Sequence, residues 1–555
     1  MARRYGVLVA ITCLALVLRT WRLTESPSGF HVDEASFGYN AYSILRTGRD
    51  EYGERFPLLF RAFGEYKRPV YVYAAVPSIA VFGLNRTAVR LPAALAGAAA
   101  VPLMYVVVAL LFRSRVLGLA AAGMLAISPW HLQFSRGTWE LSFYLVGVLL
   151  MLSGLLGAAR SRGGRRAGIL LVLAATGAVL ALHSHIIALI TIPLLGALVV
   201  GAFARPLRAV PRQWAAAAAI VLLLGAAPLA QQVLDGRAGA RNDQVTLLRD
   251  PATQIPAAAR RQRDEGEGLP GLLVALQTPP AAAFRAAFDA YLSHFGPSFL
   301  FTRGDPDWRY HSSDTAQMFL WDLPLLVGGV AAALRRWRLP AHQVTLGLLL
   351  LGPAPAAFTD STPHASRAFL LLPALYVACA RGLPPVWRWL RRSRLRVTWL
   401  MLLALSFGYY LFAYHRYYPV ERAGAWQDGS LQTFREAQRL ADSGAYRRVV
   451  IPSELRGVPY IHALFALRYD PAVYLTQGGS VADRGWPHYP GPGPLQFSPF
   501  DVRQVDWASE PRQTDVLYLW HGGQDPPAGG RPVAVIRNAA GSPALQLIDF
   551  PSAPT

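Results

Sequence analysis

The chain is 555 residues long, 53% apolar and 16% charged, and its 54 Lys+Arg against 33 Asp+Glu leave a net charge of +21. In a soluble protein that charge would point to nucleic acid, but here it lies in loops between apolar stretches near bilayer length, which describes a polytopic membrane protein without a nucleic-acid partner. Two cysteines, Cys13 and Cys379, both sit inside apolar runs and support neither a disulfide framework nor a thiolate metal site.

The first apolar run, 5–20, follows Arg3-Arg4; no small-x-small cleavage signal follows at Thr20-Trp21-Arg22, so it reads as a retained span with its N-terminus inside. Further runs lie at 69–84, 91–112, 116–132, 141–159, 167–182, 186–203, 214–230, 319–334, 340–358, 368–386 and 397–414. Residues 69–84 contain Pro77 and follow Lys67-Arg68-Pro69. Taken as an interfacial helix of the first outer loop, they leave eleven spans, with twenty arginines and no acid on the inner side, counting Arg381 near the inner end of 368–386, and all 33 Asp and Glu on the outer side, counting Asp322 near the outer end of 319–334. Letting them cross would put five of six arginine clusters outside. The expected arrangement is therefore a cytoplasmic N-terminus, an extracytoplasmic C-terminus, and outer segments at 21–90, around 131–140, at His183-Ser184-His185, at 231–318, at 360–367 and beyond 414. Segment 231–318 is polar up to Gly268 and apolar and aromatic from Leu269 to Leu300, a pattern that suits a lid lying on the interface.

From Tyr418 the composition becomes that of a soluble domain. Leu431–Ser443 has helical spacing, and 448–451, 515–520, 532–536 and 544–550 have the composition of strands, with a Pro/Gly-rich loop at Trp486–Pro499. The expected division is a membrane part, 1–415, and a small outer α/β domain, 416–555.

The chemistry is expected in the outer segments. Asp33-Glu34 follows the first span by about a dozen residues, where a carboxylate is costly and usually kept for a purpose. Adjacent acids point to different faces, so one of them would act, as a general base on an acceptor hydroxyl, while the other orients it or holds a polar partner. The alternative is a helix cap for the run Ala35–Leu45. Outward-facing Lys67, Arg68, Arg86, Arg90, Arg136, Arg303 and Arg367 oppose the positive-inside bias; a phosphate explains several of them, as does snorkelling for any one. Lys67 is the only lysine in the chain. His-x-His at 183–185 is a possible metal pair that interface polarity explains equally well, and tyrosines and tryptophans such as Tyr39, Tyr42 and Trp308 fit an interfacial belt better than a sugar platform.

The acidic pair, Lys67-Arg68-Pro69-Val70-Tyr71-Val72-Tyr73, Phe82-Gly83-Leu84-Asn85 and Val89-Arg90-Leu91-Pro92 together resemble the C-type glycosyltransferases that use polyprenyl-phosphate sugars, especially bacterial relatives of the protein O-mannosyltransferases and of the lipid A aminoarabinose transferase. Ser128-Pro129-Trp130-His131, Phe134-Ser135-Arg136 with Glu140, and Thr362-Pro363-His364-Ala365-Ser366-Arg367 extend the likeness over about residues 1–415. The resemblance implies a helical fold in the bacterial plasma membrane with an outer active site. It implies inverting transfer from a polyprenyl-phosphate sugar to an extracytoplasmic hydroxyl of a glycan, lipid or protein, with no metal or other cofactor required. It makes Asp33 the base, with Glu34 beside it, and Lys67 the contact to the lipid phosphate, although Arg68 stands where the family has the first proline of Lys-Pro-Pro. Arg303 and Arg367 are the candidate phosphate co-ligands. His31, Tyr39, Tyr42, Arg136, Glu140 and His364 are the pocket candidates. A transporter or lipid flippase is the rival reading; its inverted repeats and intramembrane charges are not visible in the sequence.

Overall fold

The computed structural model describes residues 2–63, 65–161, 163–235, 251–268, 270–359, 361–453, 455, 460–480 and 495–551. Two compact units result: 1–19, 96–134 and 141–410 form one, and 20–95, 135–140 and 411–555 the other.

The protein is a polytopic helical membrane protein. Among the described residues, Arg86–Phe112, Leu141–Arg160, Gly164–Leu182, Arg212–Gln232 and Ser393–Arg416 are long and apolar enough to cross a bilayer. Shorter apolar helices include Tyr5–Thr20, Arg115–Ile127, Ala188–Ala202 and Leu320–Leu334. In the first unit, small residues let helices approach closely, as apolar lipid provides no hydrophobic drive for their association. A Cβ on Gly147 would lie 2.7 Å from the Gly177 carbonyl, and one on Gly329 would lie 1.8 Å from the Ala378 carbonyl. The turn after Arg160 is short, so Leu141–Arg160 and Gly164–Leu182 pack side by side as neighbours in sequence. Of segment 231–318, residues 236–250 and 269 lie outside the described set; Pro251–Gly266 and Pro279–Ser293 are helices, the latter exposing Phe284 and Phe288.

In the second unit the Val32–Thr47 helix packs on the Pro69–Phe82 helix, which has Pro69 in its first turn and Pro77 inside it. Between them β1 (Phe60–Ala62) and β2 (Glu65–Lys67) form an antiparallel ladder that pairs Phe60 with Lys67. Six more strands, β3 (Arg448–Pro452), β4 (Leu495–Phe497), β5 (Phe500–Arg503), β6 (Val516–His521), β7 (Arg531–Arg537) and β8 (Pro543–Asp549), make one mixed sheet in the order β4-β5-β3-β6-β8-β7. The central β3 runs parallel to β5 and β6 and is buried, as its Val449-Val450-Ile451 run requires. The Ser430–Asp442 helix covers β3 and β8.

The compact units do not follow the expected division at residue 415. The first outer loop groups with the C-terminal segment because helices Ile461–Ala466 and Pro471–Thr476 pack on the Val32–Thr47 helix, a contact that hydropathy cannot register. Of the expected loop Trp486–Pro499, residues 486–494 lie outside the described set and Leu495–Phe497 form β4.

Candidate active site

The Val32–Thr47 helix begins with a capping box. His31 is the N-cap, with extended backbone at φ −66° and ψ 152°; its Nδ1 accepts the Asp33 N–H at 3.3 Å, and the Glu34 carboxylate accepts the His31 N–H at 3.1 Å. Asp33 therefore stands within the first turn, and the cap that was its alternative reading belongs to His31. Gln427, from the C-terminal segment, accepts the Val32 N–H through Oε1 at 2.6 Å.

The two adjacent acids meet different surroundings. Glu34 faces inward and forms a bidentate pair with Arg90, Nε to Oε1 at 2.9 Å and Nη2 to Oε2 at 2.8 Å, while Thr138 donates its hydroxyl and its N–H to Oε1. Arg90 is fully buried and also donates to the carbonyls of Leu23, Pro27 and Gly29. Burial pushes the Glu34 carboxyl up, but the Arg90 charge and these donors outweigh it and hold the group below the usual range. Asp33 instead keeps a third of its side chain exposed, against 7% for Lys67, whose Nζ lies 2.5 Å from Asp33 Oδ1. His31 Nδ1 lies 3.2 Å from Oδ2, and the lysine ammonium also sits 4.7 Å from the Phe37 ring centre. Burial works to raise the Asp33 carboxyl; Lys67 and His31 outweigh it and hold it well below the carboxylate range, so it is ionised at physiological pH.

The other expected residues of this unit are mostly tied down. Tyr39 is buried, edge-on to Tyr474, and donates to the Tyr469 carbonyl; Tyr42 is half-buried beside it. Arg136 is buried, donates to the carbonyls of Trp21, Arg22 and Ser26, and lies over the Tyr414 ring. Arg86 donates to the Ser28 carbonyl. Arg68 is buried, which lowers its pKa, while the charge of half-buried Glu140 acts to raise it.

In the other unit, the His364 N–H donates to His294 Nε2 at 2.9 Å and its ring lies 5.1 Å from that of Tyr310. Burial and the nearby Arg367 push this imidazole down to about 3, so it is neutral at pH 7. The Arg367 N–H reaches His364 Nδ1 at 3.4 Å, Arg367 is half-buried, and Arg303 is exposed. His183 Nε2 lies 2.7 Å from the Gly225 carbonyl and His185 Nδ1 accepts the Ile187 N–H. Among the described residues, no three His, Cys, Asp or Glu side chains gather as a metal site. Thr138 and Gln427 escaped sequence reasoning; they lie 104 and 395 residues from the groups they bind, and no local pattern marks them.

Residues 9–232 match the family model of the dolichyl-phosphate-mannose-protein mannosyltransferases. Among solved structures, the Archaeoglobus fulgidus oligosaccharyltransferase tethered with an acceptor peptide is 16% identical, with a TM-score of 0.50 over 84% of this chain and 63% of that one. The fold is that of a C-type glycosyltransferase. The chain thus aligns with less than two thirds of the archaeal enzyme's length. The ArnT structure from Cupriavidus metallidurans bound to undecaprenyl phosphate is 16% identical, with a TM-score of 0.42 over 83% of this chain and 75% of that one. The S. cerevisiae Pmt1-Pmt2 complex bound to its sugar donor is 15% identical, at 0.33 over 41% and 33%. No curated protein sequence matches the chain. In this C-type glycosyltransferase fold, the segment matched by the family model includes Asp33, Glu34, Lys67 and Arg90.

Proposed function

We propose that the protein transfers a sugar, with inversion, from a polyprenyl-phosphate donor to an acceptor hydroxyl on the outer face of a bacterial plasma membrane. The observation that carries this reading is the partition of two adjacent acids: Glu34 is closed in a buried ion pair, whereas Asp33 is open to solvent beside the only lysine of the chain. The match to a family named for a polyprenyl-phosphate sugar donor supports the donor class. The topology proposed with it has eleven spans, a cytoplasmic N-terminus and an extracytoplasmic C-terminal sheet.

In the proposed step the acceptor oxygen attacks the anomeric carbon, the bond from that carbon to the phosphate oxygen breaks, and the hydroxyl proton passes to Asp33 Oδ. The lipid phosphate leaves with both electrons of the broken bond, and Lys67 balances its charge. Arrival of the phosphate beside Lys67, which pairs with Asp33, gives the ammonium a second anion and makes Asp33 a better proton acceptor in the same event. Base and positive charge both come from side chains in this scheme.

The test incubates membranes containing the protein with radiolabelled polyprenyl-phosphate sugars and envelope extract. Release of free polyprenyl phosphate with label passing to extract material is the expected result. Label that stays on the lipid for every donor overturns the reading, and label that crosses the bilayer without release supports a flippase.

A further inference from the structure

Gln427 has a left-handed backbone, φ 53°, where a residue without glycine's freedom or the local hydrogen bonding of asparagine is disfavoured. Strain of this kind persists where the surroundings impose it, and here they do. The backbone of 426–428 is pressed against Gly29, at which a Cβ would lie 2.1 Å from the Trp426 carbonyl oxygen. The Trp426 ring lies 5.7 Å from the Arg90 guanidinium, and its Nε1 donates to the Tyr418 hydroxyl at 2.7 Å. The strained turn delivers Gln427 Oε1 to the Val32 N–H, the first free N–H of the helix that carries Asp33 in its next residue. His31 takes the Asp33 N–H and Glu34 takes the His31 N–H, so Gln427 completes the fixing of the first turn.

We propose that Gln427 is a positioning residue for sugar transfer, supplied by the C-terminal segment to hold the first turn of the Val32–Thr47 helix and thereby the Asp33 carboxylate. This rests on Asp33 being the base. It gives the C-terminal segment a part in the reaction, apart from any part in choosing the acceptor.

The substitution that separates positioning from stability is Gln427→Gly, which relieves the left-handed backbone while removing the cap; Gln427→Asn relieves it too, but falls one methylene short. Both are expected to leave the thermal midpoint of the full chain in nanodiscs close to wild type. Hydrogen exchange, read by mass spectrometry on peptides spanning 30–37, should rise at least tenfold in both variants with the rest of the chain unchanged, an observation that needs no donor. With a polyprenyl-phosphate sugar that wild type consumes, turnover should fall about tenfold and the donor KM should move less than twofold, as misplacement of a reacting group costs rate rather than binding. Gln427→Glu keeps an acceptor oxygen at a helix N-terminus and should restore both protection and most of the turnover. Unchanged exchange at 30–37 in Gln427→Gly overturns the inference, as does wild-type turnover in that variant while Asp33→Asn is inactive. An active Asp33→Asn instead overturns the assignment of the base.

Discussion

Replacing Glu34 by glutamine should unfold the site before it affects the chemistry. The carboxylate accepts five hydrogen bonds, two from Arg90, two from Thr138 and one from His31. Whichever way the new amide turns, its NH2 meets donors. At the Oε1 position these are Arg90 Nε and both Thr138 groups, and at Oε2 they are Arg90 Nη2 and the His31 N–H. At least two buried donors then lose their acceptor, at about 1–3 kcal/mol each. The fully buried guanidinium thereby loses the charge of its carboxylate partner, a change that typically costs about 3–5 kcal/mol with those unmet donors included. Glu34→Gln should therefore lower stability by about 3–5 kcal/mol, measured by denaturant unfolding in detergent. A Glu34→Met/Arg90→Met double variant should recover part of the loss, with a coupling of about 2 kcal/mol or more. The folded Glu34 carboxyl is held below its unfolded value of about 4.3, so its stabilisation is present above that pH and fades as pH falls through the folded value. The gap between wild type and Glu34→Gln should accordingly narrow below about pH 4. A Glu34→Gln protein as stable as wild type but inactive per folded molecule would make Glu34 a reacting group and sink the structural assignment.

Lys67→Met should raise the acid limb of kcat/KM as well as slow turnover, because burial, which pushes the Asp33 carboxyl up, is then opposed by His31 without the lysine charge. The Lys67 charge, 2.5 Å from Asp33 Oδ1, is the strongest influence holding that carboxyl down, so the limb should move to higher pH without it. A limb that stays in place would mean that Asp33 is not the group titrating. For the topology, a cysteine at exposed Ser509 should react with an impermeant thiol reagent in intact cells and one at exposed Ser393 should not, in a background lacking Cys13 and Cys379; labelling at Ser393 would reverse the orientation.

Hydropathy located a helix in every stretch read as a span, because apolar runs near bilayer length need no knowledge of tertiary contacts. The acidic pair is visible in the sequence as a candidate site. Which acid stays open is not, because Glu34 is closed by Arg90 and Thr138, which lie 56 and 104 residues away. Arg86, Arg90 and Arg136 looked like phosphate ligands for a related reason. In sequence an outward arginine has no visible partner, but in the fold these three find the carbonyls of the 21–29 turn or Glu34. Tyr39, read as a pocket candidate, is instead packed against a segment that begins more than 400 residues later. Strands β3, β6, β7 and β8 were legible from their apolar runs. Strands β4 and β5 were not, being three and four residues long and separated by Pro499.

The most direct measurement is a single turnover by Asp33→Asn, purified in nanodiscs and loaded with the polyprenyl-phosphate sugar that wild type consumes. Asparagine keeps the shape and removes the basicity, and Asp33, unlike Glu34, is not the partner of a fully buried cation. The variant should fold and bind donor as wild type does, yet release polyprenyl phosphate about 100- to 10,000-fold more slowly. Release at the wild-type rate would contradict the assignment of Asp33 as the base and return the Asp33-Glu34 pair to a purely structural role at the start of its helix.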